Sequence, residues 1–212
     1  MGSKIGSYFI YYINCSHRKD RRDSIVSLLR QEGFEESEHK RIEAHYIKEN
    51  GDLGCARSHI EALESFLESN YDFAVIMEDD LSWPLSGTMR YEFIEKAIEC
   101  DSWDVFLMAG HFHRDSTVEK ICDNFRRFTS ITTTAFYIVR RNFCEKLLET
   151  YRESEKKLKE NPDSHPLYAI DQNWKRLQAD HNFYGFNNNS PLYWSGFFPG
   201  DQDGSNSDID RN

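Results

Sequence analysis

The segment Phe73-Ala74-Val75-Ile76-Met77-Glu78-Asp79-Asp80 constrains this chain more than any other. A strand with one face in water alternates apolar and polar residues; an unbroken apolar run predicts a central strand covered on both faces. Covering both faces takes helices, and the flanking sequence supplies them. Three acids then close the strand at its carboxyl end. In an open α/β sheet, that edge is where ligands bind.

The rest of the chain keeps a strand and helix rhythm. Residues 8–13 form an aromatic and β-branched run that ends at a polar cluster, which reads as a buried strand. Asp20 opens a helix with Ile25, Leu28 and Leu29 on one stripe and Gly33 at its stop. Residues 40–44 give a weaker second strand ending at Ala44, and Gly54 turns into a helix from Ala56 with Ile60, Leu63 and Leu67 on one face. A helix over 91–99, strands over 104–108 and 131–139, a long helix over 144–160, a last helix over 169–178 and a return strand over 183–186 follow. This order predicts an α/β fold with a central, mostly parallel, twisted sheet flanked by helices and a Rossmann-like nucleotide-binding half. There is no internal repeat or linker, so residues 1–212 read as a single domain. Residues 1–7 are expected to be flexible, and the Gly, Ser, Asn and Asp-rich stretch 199–212 is either a lid or a flexible tail.

Composition limits the partners. With 39% hydrophobic and 14% aromatic residues the chain folds rather than staying disordered. Its 26 basic residues against 36 acidic ones give a net charge of −10, which argues against nucleic acid as a partner. The apolar run at Tyr8–Ile13 is well short of the ~18 residues a membrane span needs, and no secretory signal is present. The five cysteines are scattered with no CxxC pair, which points to a reducing, cytoplasmic setting and argues against a zinc site.

Three successive carboxylates raise one another's proton affinity unless a cation neutralises them. Hard oxygen ligands with no neighbouring His or Cys favour Mg²⁺ or Mn²⁺ over zinc, and such an ion keeps positions that phosphate oxygens can fill. Glu78 and Asp80 are the candidate metal ligands; an exposed acidic turn is the alternative. The basic cluster His17-Arg18-Lys19-Asp20-Arg21-Arg22 enters the first helix, where backbone N–H groups and the helix dipole favour an anion. Arg18 and Arg21 are its candidate diphosphate contacts, with a solvated first turn as the alternative. Ser58 and His59, one turn into the next helix, can face the same edge; a structural role is the alternative for His59.

These segments, in this order, resemble glycosyltransferase family 25. Ile13-Asn14 followed by Asp20-Arg21-Arg22 is similar to the family's opening "IN…R…DRR", Gly54-Cys55-x-x-Ser58-His59 to its "GCxxSH", and Ala74 to Asp80 to its hydrophobic strand ending in "EDD". Trp103-Asp104 resembles its following "WD", and Asp171 its late aspartate. Cys15-Ser16 stands where the family has Leu-Asp, and the chain is short for the family. The ending Ser205 to Asp210 is similar to tails of members from large DNA viruses, which would place the protein in host-cell cytoplasm. The resemblance implies a GT-A fold and a UDP-sugar donor bound by Ile13, Asn14, Arg18, Arg21, Ala44, Gly54, Ser58, His59 and Glu78. It further implies Mn²⁺ or Mg²⁺ on Glu78 and Asp80, with Asp208 as a third ligand if the tail closes as a lid. Asp79 would contact donor hydroxyls or complete the metal shell. Asp171 would deprotonate the acceptor, with a helix N-cap as its other reading. The implied reaction moves a hexose, glucose or galactose, to a hydroxyl of a glycan or glycoprotein. The competing functions are another metal-dependent phosphate enzyme, such as a nucleotidyltransferase or hydrolase, and a non-catalytic nucleotide- or glycan-binding module.

Overall fold

The computed structural model describes residues 6–81, 83, 86–112 and 118–186. Ten strands and seven α-helices follow one another along the described residues. Strand β1 (Tyr8–Asn14) leads through α1 (Lys19–Gln31) to β2 (His39–Glu43); α2 (Gly51–Leu67) then leads to β3 (Phe73–Glu78). A π-helical segment, Met89–Glu95, runs into α3 (Lys96–Glu99) and then β4 (Val105–Leu107). Short strands β5 (His111–Phe112), β6 (Val118–Lys120), β7 (Phe125–Phe128) and β8 (Ile131–Thr132) precede β9 (Phe136–Arg140). The chain closes with α4 (Arg141–Glu160), α5 (His165–Tyr168), α6 (Ile170–Asn173), α7 (Lys175–Gln178) and β10 (Phe183–Phe186).

Eight strands form one sheet in the order β2-β1-β3-β9-β4-β10-β7-β6, and β5 pairs with β8 in a small second sheet. The expected α/β class stands, while the strand directions are more mixed than expected. The pairs β2–β1, β1–β3 and β4–β10 are parallel, whereas β3–β9, β9–β4, β10–β7 and β7–β6 are antiparallel. For β3–β9 and β9–β4 the cause is β9: it returns alongside β3 from the small β5–β8 sheet rather than through a crossover helix, and only a crossover permits parallel pairing. The parallel half, β2-β1-β3, is the part that carries the acidic strand end.

Each strand splits its side chains between two cores. Tyr11, Ile13, Ala74, Ile76, Tyr137 and Val139 face α2 and α4. Ile10, Tyr12, Val75, Met77, Phe136 and Ile138 face α1 and the π-helical segment. The uninterrupted run in β3 is therefore satisfied as expected, buried on both faces.

Helix α2 begins five residues before the expected start, because Asn50 caps it: its side-chain oxygen accepts the Leu53 N–H at 3.0 Å. At the other end Arg141 closes it. The guanidinium donates to the carbonyls of Phe66 (3.0 Å), Ser69 (2.9 Å) and Tyr71 (2.6 Å) and lies over the Phe66 ring, so the orphan carbonyls at the helix terminus are paired. The expected strand over 131–139 divides at Thr133, whose positive φ of 82° bends the chain between β8 and β9. The expected helix over 169–178 is two single turns, α6 and α7, which meet at the buried Trp174. Its indole N–H donates to the Ile131 carbonyl at 3.0 Å.

Candidate functional site

The carboxyl ends of β1, β2 and β3 and the first turns of α2 enclose one cleft. Its lining includes Ile13, Asn14, Arg21, Ala44, Gly54, Ser58, His59, Glu78, Asp79 and Asp80, drawn from five separate stretches of sequence. Cys15, His45, Tyr46, Ile47, Gly51 and Cys55 complete it.

The β1 end supplies a junction. Asn14 is buried, and its amide is shared three ways: Oδ1 accepts from Arg41 Nε at 2.8 Å, while Nδ2 donates to the Arg18 carbonyl at 3.0 Å and to Asp79 Oδ2 at 2.5 Å. Arg21, from the first turn of α1, reaches the same acids at 3.2 Å from Asp79 and 3.5 Å from Asp80. These three side chains are at most 10% exposed, so the pairing is screened little by water. Burial pushes the Asp79 carboxyl above its ordinary range, and the Asn14 and Arg21 contacts pull it back. Asp79 is thus engaged by protein groups. Arg18 forks onto Asp20 two residues on, at 3.0 and 2.8 Å, and is not part of the cleft lining.

The α2 side is fixed by Ser58, which lies at the helix wall and is buried. Its hydroxyl donates to the Gly54 carbonyl at 2.7 Å and accepts the His45 N–H at 2.8 Å, which fastens the loop after β2 to the helix. Gly54 is inside α2 rather than at a turn before it. A Cβ there would overlap the His45 carbonyl oxygen, so the close passage of that loop requires glycine.

His59 sits one turn further along α2, buried at 1% exposure. Nδ1 lies 3.2 Å from the Tyr137 hydroxyl, and Nε2 lies 3.3 Å from Glu78 Oε1; the imidazole stacks on the Tyr137 ring. With Glu78 ionised, Nε2–H donates to the carboxylate and Nδ1 accepts from the tyrosine. Cys55, one turn back on the same face, completes a group with His59 and Glu78 whose ligand atoms all lie within 4.8 Å of one another. Burial, followed by the charges of Glu78 and Asp171, pushes the Cys55 thiol well above its ordinary value. The acids have no His or Cys beside them in sequence. The fold nevertheless brings one of each to Glu78, a juxtaposition that local sequence could not reveal.

Asp171 stands in α6, at its second position rather than at the N-cap, which is Ala169. Its Oδ2 accepts the Thr133 N–H at 3.2 Å. It is not part of the cleft lining but lies close enough to Cys55 to act on its thiol. Asp208 and the stretch 199–212 lie outside the described residues. His45, whose Nε2 is 3.0 Å from Glu61 Oε2, and the half-exposed Tyr46, edge-on to His17, are cleft residues that the motifs did not indicate.

No protein-family model matches the chain, and no curated protein matches it. Among solved structures it is similar to a nucleoside-diphosphate-sugar pyrophosphorylase from Vibrio cholerae RC9. The two are 14% identical, the match covers 84% of this chain and 72% of that one, and the TM-score is 0.40. No helix among the described residues is long and apolar enough to cross a membrane, and all five cysteines are free thiols.

Proposed function

We propose that this protein is a metal-dependent glycosyltransferase of the family 25 type, moving a hexose from a UDP-sugar to a hydroxyl of a glycan or glycoprotein. The observation that carries the reading is convergence. Residues from the three separated motifs, Asn14 and Arg21, Gly54 to His59, and Glu78 to Asp80, line one cleft at the carboxyl edge of parallel strands.

Glu78 and Asp80 both reach that cleft and offer hard oxygen donors, which fits Mg²⁺ or Mn²⁺ shared with phosphate oxygens. When bound, such an ion neutralises charge on the departing diphosphate. The remaining work falls to the chain. Arg21 holds Asp79 and Asp80 against the β1 end, so the acidic edge is set before the donor arrives. His59 fixes the orientation of Glu78 through Nε2. Ile13, Ala44 and Gly54 provide the close backbone and apolar wall against which a nucleoside packs. Asp171, whose Oδ2 is oriented by Thr133 N–H, is the carboxylate we assign to removing the acceptor hydroxyl proton.

The test is product analysis with UDP-glucose and UDP-galactose in the presence of Mn²⁺ and a glycan panel. Free UDP together with a glycosylated acceptor supports the reading. Release of inorganic phosphate or pyrophosphate instead would make the protein a nucleotidyl or phosphohydrolase enzyme.

A further inference from the structure

We propose that Cys55, His59 and Glu78 form a binding site for a thiophilic divalent cation of the zinc class, which shares Glu78 with the carboxylate pair Glu78 and Asp80 but takes a thiol and an imidazole of α2 in place of Asp80. This does not rest on the glycosyltransferase reading.

The ligand atoms come from two rigid elements. Cys55 and His59 lie at i and i+4 on one face of α2, and Glu78 ends β3. Their sulfur, nitrogen and oxygen atoms are within 4.8 Å of one another. Two ligands of a tetrahedral ion with bonds of about 2.0–2.1 Å sit about 3.3 Å apart; His59 Nε2 and Glu78 Oε1 stand at 3.3 Å. The donor set is one thiol, one imidazole and one carboxylate. Sulfur and imidazole select Zn²⁺ or Co²⁺ over Mg²⁺ and Mn²⁺, whose preferred ligands are all oxygen.

The group behind the imidazole is also in place. Metal-bound histidines present their second nitrogen to a fixed partner, and His59 Nδ1 has the Tyr137 hydroxyl at 3.2 Å. All three ligands line the cleft. Binding replaces the thiol proton of Cys55, which passes to solvent, and transfers no electrons. It also turns His59 to its other tautomer, with Nδ1–H donating to Tyr137.

Titration of the full chain with Co²⁺ tests this directly, because thiolate ligation produces a sulfur-to-cobalt charge-transfer absorption in the near ultraviolet. The expected result is a band that saturates at one equivalent, is bleached by Zn²⁺, persists in Cys15→Ser and Asp80→Ala, and disappears in Cys55→Ser. His59→Gln is expected to weaken Co²⁺ binding about tenfold or more. A wild-type chain without the band overturns the site, as does an equal band in Cys55→Ser. Loss of the band in Asp80→Ala would make Asp80 a ligand of the same thiolate-bound cation, so that there is one metal site rather than two, and would also overturn the proposal. Because Asp80→Ala removes a ligand of the proposed donor-site metal, persistence of the band there separates this site from that one.

Discussion

His59 Nε2 and Glu78 Oε1 meet at 3.3 Å across the seam between α2 and β3, with the imidazole backed by Tyr137. The buried imidazole therefore acts as a strut for the acidic strand end. Replacing it with alanine leaves the Tyr137 hydroxyl and the Glu78 carboxylate each without this partner, at a cost of about 1–3 kcal/mol. His59→Gln, whose amide can donate to Glu78, should recover part of that loss. Urea midpoints of the two variants give the comparison; equal destabilisation would show that the hydrogen bond contributes nothing.

Arg21 is the cation that holds the cleft's floor together. Arg21→Ala leaves the buried Asp79 with Asn14 but without its compensating charge, and should lower stability by about 3–5 kcal/mol. Arg21→Lys keeps the charge without the planar fork and should fall between alanine and wild type. Chemical denaturation monitored by Trp fluorescence reads both; a loss below 1 kcal/mol in the alanine variant would contradict a structural role.

Two glycines separate steric need from backbone need. Gly54→Ala forces the His45 loop away from α2 and should cost about 1–3 kcal/mol as an overpacked contact, with weaker UDP binding as the cleft wall shifts. Gly33→Ala meets no neighbour but must hold a φ of +82°, which should cost about 1 kcal/mol and leave UDP affinity unchanged. Calorimetry of both variants with UDP separates the two cases.

The acid limb of stability has an identifiable contributor. Arg90 binds Glu38 and holds its carboxyl below the ordinary value of 4.5. Between these two values the unfolded chain takes up the proton first. The contribution is therefore complete above about pH 4.5 and is lost as pH falls through the lowered value. Glu38→Gln should flatten this part of the stability curve and leave the shape above pH 6 unchanged, as measured by thermal midpoints from pH 3 to 7.

Thiol reactivity should follow burial. Cys122 is exposed and Cys144 is buried, with its thiol pushed up to about 12. A thiol-specific chromogenic reagent should label Cys122 rapidly in the native protein and reach Cys144 only after unfolding. Mass spectrometry of peptides taken at early times tests the order.

The cleft was legible in sequence as far as strand ends and motif order reach. The run ending in Glu78-Asp79-Asp80 located the carboxyl edge of the parallel strands, and the Gly54 to His59 segment located the helix that faces it across the cleft. Partners distant in the chain were not legible. Arg21 reads locally as an anion-binding cation at a helix start, yet it meets Asp79, 58 residues away. Strand β7 went unread because Phe125-Arg126-Arg127-Phe128 lacks strict alternation; its identity comes from pairing with β10. Thr133 gives no sequence signal for positive φ, since a β-branched residue rarely adopts it, and so the break between β8 and β9 was hidden.

The central claim is that the acidic strand end binds a nucleoside diphosphate through a divalent cation. Calorimetric titration of UDP, GDP and CMP with Mn²⁺, repeated in EDTA and with Asp80→Ala, tests it most directly. The account predicts tight binding of UDP alone, abolished by EDTA and weakened at least tenfold, about 1.4 kcal/mol, in the variant. Binding that is absent for all three nucleotides, or unaffected by EDTA and by the substitution, would contradict it.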